Sequence, residues 1–202
     1  MHNIIKTFGL ILLTQSVMAS SLSDAALRLI KTGNEIDSPS VVLSGQKLLL
    51  RGMFQLNDLD AVYESSKQTR AGNSVMGYAP QVVMANQLLM KLLAKGYDPA
   101  IYDVALYLLD GESGFVKDEL MALNLFETSV RTHANPQSAF VAAVIKNESL
   151  VPGFKDEVRI DELITFAILN RVAGAEQYQT RYIINRRGRL QVNNWREWLA
   201  ER

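Results

Sequence analysis

The chain has 202 residues, with 21 basic against 21 acidic side chains, two histidines and no cysteine. That balance argues against broad electrostatic binding to nucleic acid or to anionic lipid. The missing cysteines exclude disulfides and the lipid-modified thiol of a lipoprotein. Only five prolines, and Leu, Ala and Met in place of long Val, Ile and Thr runs, point to an all-α chain whose hydrophobic core must hold it together.

In chain order, "MHNIIKTFGLILLTQSVMAS" comes first. It carries Lys6, an apolar run from Phe8 to Val17, and small residues at Val17 and Ala19. The run is too short to span a bilayer, which takes about 18–20 apolar residues. It has the form of a secretory leader, cut after Ala19. Residues 1–19 are therefore expected to be a signal peptide, the alternative being a buried N-terminal helix. Losing Lys6 leaves about one net negative charge. No alternating segments suggest an outer-membrane barrel. The expected destination is the periplasm, as a soluble protein.

"LSDAALRLIKTG" reads as a short helix capped by Ser23 or Asp24 and stopped at Gly33. "EIDSPS" is a loop whose last serine can cap "VVLSGQKLLLRGMFQLND", a helical pattern interrupted by Gly45 and Gly52. Asn57 or Asp58 caps "LDAVYESSKQTR", and the glycine-rich "AGNSVMGYAP" follows as a loop. "QVVMANQLLMKLLAKG" is amphipathic and ends at Gly96. "DPAIYDVALYLLDG" starts on Asp98 as cap with Pro99 at the first helical position. "KDELMALNLFETSVRTH" sets Leu120, Leu123, Phe126 and Val130 along one stripe. "NPQSAFVAAVIKN" and "RIDELITFAILNRVAG", the latter closed by Gly174, complete the regular helices. "AEQYQTRYIINRRG" and "NNWREWLAER" finish the chain. Helices with short connections pack as antiparallel neighbours, in a bundle or in a solenoid.

Internal repetition separates those two. Lys95–Ser113 lies over Arg131–Ser149 at a shift of about 36 residues, close to the tetratricopeptide period. Val104, Leu106, Leu108 and Leu109 then fall on Phe140, Ala142, Val144 and Ile145. A second register sets Ala85 before Gly96, Ala122 before His133 and Leu163 before Gly174 at one interval. Ala61 and Gly72 keep that interval too, yet sit too close to the next copy for a full unit. A helix pair of this kind cannot bury its apolar face alone, so it stacks on its neighbours.

"ALYLLDGESGFVKDELMALNLFETSV" resembles the Sel-one-like repeat, an α/α relative of the tetratricopeptide repeat. The resemblance rests on Ala100, Val104-Ala105, the turn "DGESGFVKD", Ala122, Phe126, Ser129-Val130 and His133. Ala105 replaces the family's first glycine, the turn is one residue longer, and His133 stands where glycine is usual. The resemblance implies an all-α, α/α superhelical solenoid. The corresponding organisation is an N-terminal helical segment at 20–80, repeats at 81–185 and a capping helix at 186–202. It also implies an adaptor that holds other envelope proteins, with stacking units making surfaces rather than pockets.

The search for chemistry yields little. There is no nucleophile elbow, His-Glu-x-x-His, P-loop or dinucleotide fingerprint. His133 sits at a helix end, where bonding to the last carbonyls is the ordinary role. Asp118-Glu119 and Asp161-Glu162 open helices, where negative charge meets the dipole. No enzyme activity, cofactor or metal is expected. The arginines at 181, 186, 187 and 189 run beside Tyr178 and Tyr182. Arginine and tyrosine suit a partner interface, while a solvated loop is the plainer reading. Trp195, Trp198 and Leu199 share a face that either caps the solenoid or docks a partner. If the first helix of each pair lines the inner surface, Asp103, Tyr107 and Arg181 are candidate contacts there, and Tyr178 and Arg187 of the arginine-rich run join them as candidate partner-binding residues. The expected partners are proteins of the cell envelope, for example in the assembly of a type VI secretion system. The alternative is a periplasmic immunity protein or regulator that binds a toxic effector or cell-wall enzyme.

Overall fold

The computed structural model describes residues 22–184, so the expected leader, the expected C-terminal helix and Arg187 lie outside the described residues. Nine α-helices follow one another there: α1 over 22–35, then α2 (Pro39–Gln55), α3 (Leu59–Ala71), α4 (Val82–Ala94) and α5 (Asp98–Asp110). They continue with α6 (Glu119–His133), α7 (Pro136–Asn147), α8 (Glu157–Leu169) and the short α9 (Ala175–Tyr178), which runs on into a π-helical stretch, Gln179–Ile184. Among the described residues the one β feature is an isolated bridge between Asn73 and Tyr78. Two compact units divide the chain, Met1–Ala100 and Ile101–Arg202.

In the first unit, α1, α2 and α3 share a core of Ala26, Ile30, Leu49 and Ala61. The expected stop at Gly33 is not one, because α1 continues through it to residue 35. Gly33 is instead a site of close approach: a Cβ there would sit 2.6 Å from the Val42 amide nitrogen. Gly45 and Gly52 do the same on α2, where a Cβ would lie 2.6 Å from the Ala26 carbonyl and 2.7 Å from Ala61 Cβ. The glycines that interrupt the pattern are thus what lets these helices meet. Asp58 caps α3, accepting from the Asp60 amide at 2.9 Å and from the buried Ser23 hydroxyl at 2.9 Å. Ser23 therefore ties α1 to α3 rather than capping its own helix.

In the second unit α6, α7 and α8 pack in succession. Asp118, Asn135 and Asp156 are the N-caps, each accepting from backbone amides of the following turn. On α6 the buried stripe is Ala122, Leu123, Phe126 and Ser129, with Leu120 outside it. Every residue of α7 from Ser138 to Lys146 is buried, the signature of a helix packed on all sides.

The helix pairs are α3 on α4 and α7 on α8. This resolves the crowding of the second register: Ala61–Gly72 belongs to the first helix of a pair, not to the second as Ala85–Gly96 does. The turns α3–α4, α5–α6 and α7–α8 each carry a left-handed glycine followed by an aromatic residue: Gly77-Tyr78, Gly114-Phe115 and Gly153-Phe154, with φ of 71°, 81° and 80°. The same turn opens on Gly72, Gly111 and Ser149, also left-handed. Gly111 and Ser149, like Asp118 and Asp156, stand about 38 residues apart, so the unit is slightly longer than the apolar pattern suggests. A helix buried on every face, as α7 is, matches apolar to apolar in any register and cannot fix the period. The closing residues shift too: Ala134 and Arg171 close α6 and α8 in the left-handed conformation, in place of His133 and Gly174, while Gly174, itself left-handed, opens α9.

Candidate partner-binding surfaces

On α5, the outward positions of the second unit include Asp103 and Tyr107, both half-buried. Tyr107 supports the turn that follows. Its ring stacks on Phe115 at 5.7 Å and 18°, and its carbonyl accepts from the Gly111 and Glu112 amides. Tyr102 meets Phe126 of α6 edge-on at 5.7 Å.

Tyr178 lies in the core rather than on the surface, with no exposed area. Its ring meets Phe140 edge-on. Its hydroxyl donates to Glu148 Oε1 at 2.9 Å and accepts from Asn147 Nδ2 at 2.9 Å. Burial pushes its ionisation well above the ordinary tyrosine range, and the neighbouring Glu148 charge adds to that. Tyr178 thus offers no contact to a partner in this structure. It carries Tyr182, whose ring tilts on it at 5.2 Å, and Arg181 covers Tyr182 from outside at 5.2 Å. Arg181 is exposed. Of the five expected contact residues, Asp103, Tyr107 and Arg181 are accessible to some degree, Tyr178 holds the base, and Arg187 lies outside the described residues.

The second unit also contains an ion cluster that spacing did not reveal. Glu127 of α6 receives Lys146 of α7 at 3.3 Å and Arg159 of α8 at 2.6 Å. Arg159 turns its other arm to Glu162 at 3.0 Å. Burial by itself would raise the Glu127 carboxyl, but the hydrogen bonds and charges of Arg159 and Lys146 outweigh it and hold the group below its usual range. The cluster joins three helices and is used up in doing so. Its sequence signal is faint, three charges on three helices at unrelated spacings.

In the first unit the surface is different. A cavity of about 150 Å³ opens between α2, α3 and the 72–80 loop, lined by Gln46, Leu49, Leu50, Ser65, Gln68, Thr69 and Tyr78. The Gln46 amide donates to the Tyr78 hydroxyl, and Asn73–Tyr78 backbone bonds of 2.9 and 3.1 Å hold the loop in place. Beside the cavity Leu43, Leu50 and Phe54 are exposed, Phe54 to 76%. Their spacing puts them on one face of α2, away from the buried Val42, Gly45, Leu49 and Gly52. The legible signal was there: "VVLSGQKLLLRGMF" is apolar on more than one face.

No protein-family model matches the chain, and no curated protein matches it either. Among solved structures, a Sel1 repeat protein from Oxalobacter formigenes is similar over 90% of this chain and 69% of its own, with a TM-score of 0.62 and 17% sequence identity. The fold is accordingly that of a Sel1-like repeat: all-α, built of α/α pairs, in the class of the solenoids.

Proposed function

We propose that the chain is a protein-binding adaptor of the cell envelope. In this reading it is exported to the periplasm by the leader at 1–19 and supports assembly or positioning of an envelope complex such as a type VI secretion system. The observation that carries the binding role is the apolar surface left over after the helices have stacked. On α2 the exposed Leu43, Leu50 and Phe54 fall on one face, and a row of exposed apolar residues of this kind marks a site of association. The leader supports export. The fold supports a surface-based role, because paired helices present broad faces to partners.

Crosslinking in cells, capture of the tagged full-length chain and mass spectrometry test this. Recovery of the membrane components of one machine is the expected result. Recovery of one soluble enzyme at equal stoichiometry would replace the adaptor with an immunity or regulatory role. Capture that returns nothing specific would sink both. Cell fractionation checks the location, with a cytoplasmic product of full length overturning export.

A further inference from the structure

Besides the face it packs with, α2 presents a second, exposed one. Leu43, Leu50 and Phe54 recur at helical spacing, and Lys47 falls in the same row, with Arg51 on the next. The helix PSVVLSGQKLLLRGMFQ has no acidic residue at all. Lys47 and Arg51 are both exposed. Among the described residues, the ion pairs formed in the first unit are Lys31–Glu35 and Lys67–Glu64, and neither draws on them. An apolar row is thus bordered by two exposed cations that, among the described residues, stand outside both of those ion pairs.

The adjoining cavity adds a socket. Leu50 belongs to both the row and the cavity wall. At about 150 Å³ the cavity falls well below the roughly 300–1,000 Å³ of small-molecule and cofactor sites. It suits one inserted side chain. Its walls are the amides of Gln46 and Gln68 and the hydroxyls of Ser65, Thr69 and Tyr78 over Leu49 and Leu50, and none of these is charged. A charged group entering it would lose water without gaining a counter-ion, so the inserted side chain is uncharged.

We infer that α2 and the cavity beside it bind an acidic amphipathic helix of a protein partner. One uncharged anchor fills the cavity, apolar residues cover Leu43, Leu50 and Phe54, and carboxylates face Lys47 and Arg51. This is the helix-on-groove mode, read by anchors at helical spacing, with the rim charges setting the sign of the partner. The inference rests on the adaptor reading and gives it a partner class and a place on the chain.

Two synthetic peptides of about 15–20 residues test it, a length at which helices become marginally stable in water. Each has leucine along one face and a flanking row of glutamate in one, lysine in the other. Fluorescence anisotropy is read against protein purified from the full-length chain at low salt. The glutamate peptide should bind at least tenfold more tightly than the lysine peptide. The double change Lys47→Glu, Arg51→Glu should invert that preference. Leu50→Glu should abolish binding of both without moving the thermal melt. Should Leu50→Glu disturb folding, the charge inversion still decides, because Lys47 and Arg51 are at the surface. Binding of neither peptide, equal binding of both, or a preference that survives the charge inversion each overturns the proposal. Two further outcomes overturn it by naming another occupant. One is retention on phosphatidylglycerol vesicles that Leu50→Glu abolishes, the other self-association on sedimentation that the same change abolishes. If capture from cells returns the same partners with and without Leu50→Glu, the adaptor stands and this surface falls.

Discussion

The two units of this chain solve one problem, bringing helices together, by opposite means. The first removes side chains: Gly33, Gly45 and Gly52 let α1, α2 and α3 approach until a Cβ would not fit. The second keeps large ones. Phe126, Phe140 and Tyr178 fill its core, α7 is buried on every face, and an ion cluster joins α6, α7 and α8. The contrast carries to the surface. Where the backbones meet closely, one stripe of α2 suffices for packing, and its second apolar stripe stays outside. Where a helix is enclosed, its charges are turned inward and paired. The first unit therefore keeps Lys47 and Arg51 exposed on α2, and the second has spent the cations around Glu127 on its own cohesion.

The largest effect should come from breaking that cohesion. Glu127→Gln leaves Lys146, whose side chain is only 10% exposed, and Arg159 facing a neutral group. A fully buried pair broken in this way costs about 3–5 kcal/mol. Glu127 keeps a quarter of its side-chain surface, so about 2–3 kcal/mol is expected here. In a chain of this size that lowers the melting temperature by roughly 5–10 °C. The effect should depend on pH in one direction. The folded-state carboxyl is held below its ordinary value, so its contribution is full above about pH 4.3, the unfolded value. It is lost as the pH falls through the lower, folded value. Melts of both proteins from neutral to acid pH should start to converge below about pH 4.3 and meet only once the pH has passed the lower, folded value. A gap that stays constant would show that Glu127 acts through packing and not through charge.

A smaller change should break the first unit. Gly45→Ala forces its Cβ against the Ala26 carbonyl and Ile30 Cγ1, 2.6 and 2.7 Å away. Overpacking at a tight site costs about 1–3 kcal/mol, and a backbone carbonyl cannot rotate aside. Chemical denaturation of the variant should show a lower midpoint. Amide exchange should quicken first in α1 and α2. An alanine tolerated at no cost would mean that these helices are not held by glycine contact, and the contrast between the units would fail.

Much of this was legible in the sequence, for reasons tied to particular residues. Asp118 and Asn135 stand immediately before the apolar runs they start, and the structure uses both as caps. The α/α pairing showed in the recurring small residues and glycine-bearing turns. Other features had no local signature. Gly33 looks like a helix stop because a C-terminal glycine and a glycine at a helix crossing are the same letter; only Val42, met across the fold, tells them apart. Tyr178 reads as a surface aromatic beside arginines, yet Phe140, Asn147 and Glu148, far off in sequence, enclose it. The cavity by α2 needed α3 and the 72–80 loop brought together before it existed at all.

The smallest effect tests whether the units are versions of one repeat. Helices α4, α6 and α8 all close on a left-handed residue, but the residue differs: Gly96, Ala134 and Arg171, with φ of 68°, 51° and 58°. A residue with a Cβ pays about 1–2 kcal/mol for that conformation. Glycine avoids the strain but loses about 0.4–1 kcal/mol to its freer unfolded chain. Arg171→Gly should therefore stabilise slightly, by about 0.5 kcal/mol, or roughly 1–2 °C. Gly96→Ala should do the reverse. Nothing lies within 4 Å of a Cβ built at Gly96, so any loss there is conformational and not steric. Differential calorimetry of the two variants would decide. Opposite shifts of similar size, one in each unit, would mean that both positions are the same closing turn, filled once by glycine and once without it. Two shifts of the same sign would mean that left-handed strain does not decide the stability of these closures.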